Sequence, residues 1–180
     1  MVYLKDGASL ATQGGAVWIG GGSGSASWNG LTVGDDFARG GTVIPKAELM
    51  TTASDDFKNG ITLYNASIAS GGGPVALYGR SGTGSDVYGY MGLYLGGSSS
   101  ISAGAGALSI EAHAAGGTSS GATGWHYGAL LIPTGNDGST QGTVALESTS
   151  GAISVTASAQ HDQAANHSAG LALFTQGAGG

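Results

Sequence analysis

Ile61-Thr62-Leu63, Ser67-Ile68-Ala69 and Pro74-Val75-Ala76-Leu77 are three short apolar runs, separated by Asn65-Ala66 and by Ser70-Gly71-Gly72-Gly73. The same order returns as Leu93-Tyr94-Leu95, Ser100-Ile101-Ser102 and Ala107-Leu108-Ser109-Ile110. Ile68 to Ile101 and Val75 to Leu108 are both 33 residues, and Leu63 to Leu95 is 32, so the second copy carries one extra residue in its first turn. Working outward, Val2-Tyr3-Leu4, Ser9-Leu10-Ala11 and Ala16-Val17-Trp18-Ile19 form an earlier copy. Its link Thr12-Gln13-Gly14-Gly15 stands where Ser70-Gly71-Gly72-Gly73 stands later. Leu10 to Val17, Ile68 to Val75 and Ile101 to Leu108 are each seven residues. A more divergent copy runs through Ala129-Leu130-Leu131-Ile132, Thr143-Val144-Ala145-Leu146 and Ala152-Ile153-Ser154-Val155, and Leu171-Ala172-Leu173 begins another.

A repeat of this period is one supersecondary unit that cannot bury its apolar side alone; stacked units bury a continuous column. Runs of three to five residues with alternate apolar positions read as strands presenting one face inward. Glycine-rich links allow sharp corners, because glycine takes positive φ without steric cost. No amphipathic helix of useful length is evident; the best candidate, Pro45 to Met50 with its neighbours, is a turn or two. The expected fold is all-β: a right-handed parallel β-helix (a β-solenoid) with about three short strands per coil and loop insertions on one edge. Residues 1–180 read as a single segment, with a long insertion at 20–59 between the first and second coils. That insertion carries Asp35, Asp36, Arg39, Lys46, Glu48, Asp55, Asp56 and Lys58, half of the 16 charged residues. Shorter inserts are expected from Arg80 to Tyr90, from Ala114 to Gly128 and from Ser158 to Gly170. Insertions gathered on one face of a repeat protein often form its binding surface.

Composition agrees and excludes several classes. Glycine makes up 37 of 180 residues and charged residues only 9%, while 41% are apolar, enough for a core. With no cysteine, neither disulfides nor thiolate metal sites are available, so hydrogen-bonded stacking must supply the stability. Five basic residues in a chain of net charge −6 argue against nucleic acid and anionic membrane surfaces as partners. No apolar run is long enough for a membrane-spanning helix. The opening MVYLKDGASL lacks a signal-peptide plan and starts inside a strand pattern, and the closing residues stop just after one, so a fragment of a longer repeat protein is expected.

The coil Gly60-Ile61-Thr62-Leu63-Tyr64-Asn65-Ala66-Ser67-Ile68-Ala69-Ser70-Gly71-Gly72-Gly73-Pro74-Val75-Ala76-Leu77 resembles the repeats of filamentous-haemagglutinin-type large exoproteins. So do Ser100-Ile101-Ser102-Ala103-Gly104-Ala105-Gly106-Ala107-Leu108-Ser109-Ile110 and Ser150-Gly151-Ala152-Ile153-Ser154-Val155-Thr156-Ala157. The likeness covers most of residues 2–19, 60–112 and 129–157 and covers the long insertion poorly. It implies an extracellular rod at the bacterial cell surface, exported by two-partner secretion. Such a rod serves cell adhesion or displays another domain, and its partner is a host or neighbouring-cell surface receptor or glycan. The family's secretion domain and any toxin-like part are not evident in this chain. Two other readings fit the pattern: a polysaccharide-binding or polysaccharide-degrading β-helix such as a phage tailspike, and a self-assembling β-solenoid fibre subunit. In the last, exposed coil edges would permit head-to-tail self-association.

The residues do not suggest an enzyme, a cofactor or a metal. Asp35-Asp36 and Asp55-Asp56 could act as acids or hold Ca²⁺, but paired Asp also marks solvated turns, and the Gly-Gly-x-Gly-x-Asp repeat of Ca²⁺-binding solenoids is missing. His113, His126, His161 and His167 form no His-Glu-x-x-His set, and no nucleophile elbow on a strand-to-helix turn is present. Gly20-Gly21-Gly22-Ser23-Gly24 lacks the Lys-Ser/Thr of a phosphate loop. Asn65-Ala66-Ser67 and Asn166-His167-Ser168 match the Asn-x-Ser pattern without implying a function. Aromatic residues in the inserts are the candidates for ligand contact: Trp28, Phe37, Tyr88, Tyr90, Trp125 and Tyr127, beside His126. Exposed Trp and Tyr suit carbohydrate or protein contacts, and the alternative is that they fold back over the strand scaffold. Tyr64 and Tyr94, each following a first-strand Leu, are expected to stack as an outward ladder.

Overall fold

The computed structural model describes residues 1–41, 44–45, 56–84, 89–116, 124–133, 142–160 and 167–174. In chain order the strands are β1 (Val2–Lys5), β2 (Ser9–Ala11) and β3 (Val17–Ile19), then β4 (Ala26–Trp28), β5 (Leu31–Val33), β6 (Ala38–Arg39), β7 (Ile44–Pro45) and β8 (Asp56–Phe57). They continue as β9 (Ile61–Tyr64), β10 (Ser67–Ala69) and β11 (Val75–Arg80), and as β12 (Gly89–Gly96), β13 (Ser99–Ser102) and β14 (Leu108–Ala114). The last are β15 (Trp125–Ile132), β16 (Val144–Glu147), β17 (Ile153–Ala159) and β18 (His167–Leu173). No helix occurs among the described residues.

Three mostly parallel sheets hold all of these strands except β4 and β5, which pair antiparallel with each other. The first runs β1-β9-β12-β15-β18, with β7 and β8 attached at one side; the second is β16-β13-β10-β2; the third is β17-β14-β11-β3, with β6 also on β11. The chain visits the first, second and third sheets in that order and then returns to the first. The pairing registers are those expected from the repeat spacing. Leu4 pairs with Leu63 and Leu63 with Leu95. Leu10 pairs with Ile68 and Ile68 with Ile101. Val17 pairs with Val75 and Val75 with Leu108. The divergent copy joins in register too, through Leu95–Leu131, Ile101–Leu146 and Leu108–Ile153.

Those paired residues form the core. Ile61, Leu63, Ile68, Val75, Leu77, Leu93, Leu95 and Ile101 point between the three sheets and are almost fully buried. Each such side chain contributes roughly 1.5–3 kcal/mol of burial. A second cluster covers the opposite face of the first sheet: Ile44, Phe57, Tyr64, Met91, Tyr94, Tyr127, Leu130 and Ile132. This corrects the expected tyrosine ladder. Tyr64 and Tyr94 do turn away from the main core, but both are buried, and they are not in register: Tyr64 pairs with Gly96 and Tyr94 with Thr62. Burial also pushes the Tyr94 hydroxyl pKa upward.

A column of glycines sets how closely the first and third sheets approach. Gly60, Gly92, Gly128 and Gly170 each precede the paired residues Ile61, Leu93, Ala129 and Leu171. A Cβ on Gly60 would meet the Ala38 carbonyl oxygen at 2.6 Å, and one on Gly92 the Gly79 carbonyl oxygen at 2.7 Å. At Gly128 it would meet the Ser158 nitrogen at 2.6 Å, and at Gly170 the Ala157 carbonyl oxygen at 2.5 Å. Backbone therefore lies on backbone at this corner, and only glycine fits.

The insertions differ from expectation in two ways. Strands reach into the supposed inserts: Arg80 is in β11, Tyr90 in β12, Ala114 in β14, Trp125 to Gly128 in β15, Ser158 in β17 and His167 to Gly170 in β18. Of these strands, β12, β15 and β18 carry residues of the second cluster, whereas Ala112 of β14 and Ala157 of β17 extend the main core. The other difference lies in the segment 20–59, which is not a single excursion. Ala38 and Arg39 return to pair with Gly79 and Arg80, directly continuing the line of β3, where Ile19 pairs with Leu77. Residues 20–37 are thus looped out of one edge strand. Gly21 and Asp36 close the base with paired backbone hydrogen bonds of 2.7 and 3.0 Å. Asp55, Tyr88 and His161 lie outside the described residues, as do positions 46–50 of the candidate helical turn, whereas Pro45 belongs to β7.

Candidate functional site

Strand alternation divides the residues of the third sheet between its two faces. Val17, Ile19, Val75, Leu77, Leu108 and Ile110 join the core. Trp18, Ala76, Tyr78, Arg80, Glu111 and His113 therefore face outward. Trp18 pairs with Ala76, which is fully covered, and the Trp18 ring lies 6.1 Å from that of Tyr78. Phe37 meets Tyr78 edge-on at 6.1 Å and His113 at 5.1 Å.

The looped-out segment supplies the facing wall. Its hairpin, β4 and β5, turns at Asn29 and Gly30, both at positive φ (47° and 75°), as an Asn-Gly turn requires. The hairpin brings Trp28 opposite the sheet. Trp18, Trp28, Phe37 and Tyr78, each half-buried, enclose a groove of about 300 Å³ together with Asp35, Asp36 and Glu111. Trp28 and Phe37 were legible as candidates. Trp18 lies within an expected strand and Tyr78 just beyond one, yet each follows an inward residue (Val17, Leu77) and so belongs on the outer face.

The two aspartates are held by their surroundings. Asp35 accepts hydrogen bonds from the Ser25 hydroxyl at 2.6 Å and the Ser23 backbone N–H at 3.0 Å. These bonds, that from Ser25 foremost, lower its pKa below the ordinary 3.8. Asp36 accepts from the Phe37 N–H at 2.8 Å and from Arg39 Nη2 at 2.8 Å, and the same two groups lower its pKa. Both carboxylates are therefore ionised at neutral pH. Asp36 is largely offset by Arg39, whereas Asp35 is held by neutral donors.

Beside the groove lies a slightly smaller depression of about 260 Å³, sharing Phe37 and Glu111 and including Arg80, His113 and Ser158. Here Ser158 Oγ is 2.6 Å from His113 Nδ1, and His113 Nε2 is 3.0 Å from Glu111 Oε1. The string has the order nucleophile, base and acid, which the sequence did not reveal, because 45 residues separate Ser158 from His113. His113 and Ser158 are register partners on parallel strands. Acyl transfer also needs donors aimed at a developing oxyanion. The backbone N–H groups of β14 and β17 lie in the plane of the sheet, at right angles to the side chains, and cannot converge above it.

The other candidates sit elsewhere. Tyr90 is fully buried, donates to the Gly84 carbonyl at 2.6 Å and packs on His126 at 5.0 Å. Tyr127 is buried in the second cluster. Trp125 is half-buried, stacked on Phe174 at 6.2 Å and edge-on to Tyr127 at 5.9 Å. These three belong to strands of the first sheet and line no surface with Trp28 and Phe37. Among the described residues, no group of three His, Cys, Asp or Glu side chains is placed to hold a metal ion. No helix there is long and apolar enough to cross a membrane.

No family model, curated protein or solved structure matches this chain.

Proposed function

We propose that this chain is a segment of right-handed parallel β-helix that acts as the rod of a secreted bacterial surface adhesin, of the filamentous-haemagglutinin type its repeats resemble. The observation that carries this reading is the cyclic pairing of three parallel strand series, each kept in register from its first strand to its last. Such a ladder makes a stiff, extendable scaffold whose outer faces are free to vary. On this reading the rod performs no chemistry, and the face bearing the looped-out hairpin meets a surface receptor or glycan on a host or neighbouring cell. The test is display of the chain on a non-adherent bacterium. Attachment to cells above the empty-display control, reduced by deleting residues 23–34, supports the reading. Attachment no higher than the control counts against it.

A second reading, fibre assembly, is favoured by the end rungs. Leu171, Leu173 and Ile153 are 45%, 65% and 46% exposed at one end, and Leu10 is 37% exposed at the other. In each case these are the inward-facing positions of a strand that, among the described residues, has a partner on one side only. Light scattering that shows mass growing with concentration supports head-to-tail stacking, and a constant monomer mass contradicts it.

A further inference from the structure

We propose that the groove between the hairpin and the third sheet binds a single neutral pyranose ring of a glycan. This deepens the reading of that face as the contact surface and rests on it. Its size is at the small end for ligand pockets, about 300 Å³, which suits one ring rather than a chain bound lengthwise. The walls are Trp18, Trp28 and Tyr78, flat faces against which the axial C–H groups of a sugar can stack. The lining also holds Asp35, Asp36 and Glu111, which when ionised are pure acceptors for sugar hydroxyl donors. Asp35 is fixed beforehand by Ser23 and Ser25, so little ordering is needed on binding.

The charges narrow the choice. Ionised Asp35 and Asp36 repel uronic and sialic acids. A bare metal ion is less well served, because Arg39 is paired with Asp36 and, among the described residues, no three carboxylate or imidazole groups are placed to hold one. What remains is mainly hydrogen-bond acceptors beside aromatic faces, the complement of a neutral sugar.

The test is saturation-transfer NMR on the intact chain, which detects weak binding. The probes are methyl glycosides of glucose, galactose and N-acetylglucosamine, with glucuronate, sialic acid and tetramethylammonium for comparison. At least one neutral glycoside should receive saturation and the two acids should not. Trp28→Ala should weaken binding about tenfold or more, equivalent to about 1.4 kcal/mol. Trp28→Phe should restore part of it, and Trp125→Phe, away from the groove, should change nothing. Trp28 lies in the looped-out hairpin, and Asp35→Asn provides a second variant that keeps the aromatic wall. Silence from every neutral glycoside overturns the proposal. So does binding unchanged in both Trp28→Ala and Asp35→Asn, equal binding of the acids, or binding of tetramethylammonium alone. If the glycosides fail while displayed cells still attach through residues 23–34, the ligand class is wrong and the contact face stands.

Discussion

Asn65 and Ser98 are joined across two successive rounds of the chain: Asn65 Oδ1 accepts the Ser98 backbone N–H at 2.9 Å. Asn65 does this from the left-handed region, at φ 50°, where non-glycine residues are uncommon and Asn is among the tolerated few. Asn65→Ala therefore loses the bond and adds backbone strain. The expected cost is about 1–3 kcal/mol in urea unfolding. Asn65→Gly relieves the strain and should cost less than Asn65→Ala; the reverse order would contradict this account.

The glycine column makes a sharper prediction. A methyl group at Gly128 has only backbone to meet, and backbone cannot rotate away. Gly128→Ala should destabilise by about 1–3 kcal/mol or more, the range for overpacked sites. Gly41→Ala, where a Cβ meets nothing within 4 Å, should be within about 0.5 kcal/mol of the parent. Thermal unfolding of the two variants side by side checks the contrast.

Asp35 and Asp36 give the looped-out segment a dependence on acid. Both titrate below 3.8 in the folded chain, so as pH falls the unfolded chain takes up their protons first. Their contribution is complete above about pH 4 and is lost as pH falls through the lowered values. Carbon-detected NMR titration should place both below 3.8, and Ser25→Ala should move Asp35 back toward it. A value for Asp35 at or above 3.8 in the parent chain would contradict the geometry.

Ser158 tests whether the serine-histidine-glutamate string does chemistry. The string is a polar ladder on a sheet whose backbone N–H groups cannot converge on an oxyanion. A fluorophosphonate probe should leave Ser158 unmodified, as read by intact mass and peptide mapping. Modification at Ser158 that His113→Ala abolishes would make this chain a hydrolase.

Much of this architecture could be read from spacing alone. The seven residues from Leu10 to Val17 recur because one corner is rebuilt in each round, and the resulting registers pair Leu10 with Ile68 and Val17 with Val75. Longer-range events left no such mark. Tyr64 and Tyr94 look equivalent because both follow Leu, yet Leu63 pairs with Leu95 and Leu93 with Ile61, which shifts the tyrosines apart. Tyr90, Trp125 and Tyr127 resemble insert residues in the sequence because the apolar alternation breaks at Gly92 and Gly128, where the strand lies against the backbone of the third sheet. The groove was half legible: Trp28 and Phe37 stood out by lying off the repeat, whereas Trp18 and Tyr78 were concealed within it. The sequence does contain the signal for the hairpin wall, Asn29-Gly30, but short flanking runs weaken it.

Residues one repeat apart lie in adjacent rungs, and cysteine cross-linking can read that spacing in solution. The chain has no cysteine, so an introduced pair has no competitor. Ser9 and Ser67 are register partners with hydroxyls 3.1 Å apart, and Ser67 is in turn the partner of Ser100. Adjacent strands are about 4.8 Å apart, within disulfide reach, whereas strands two rungs apart are about 10 Å and beyond it. The double variant Ser9→Cys/Ser67→Cys should oxidise to an intramolecular disulfide in the folded chain, and so should Ser67→Cys/Ser100→Cys. Ser9→Cys/Ser100→Cys should remain reduced. Failure of both adjacent pairs, or ready closure of the Ser9→Cys/Ser100→Cys pair, would contradict the stacked register on which the whole account stands.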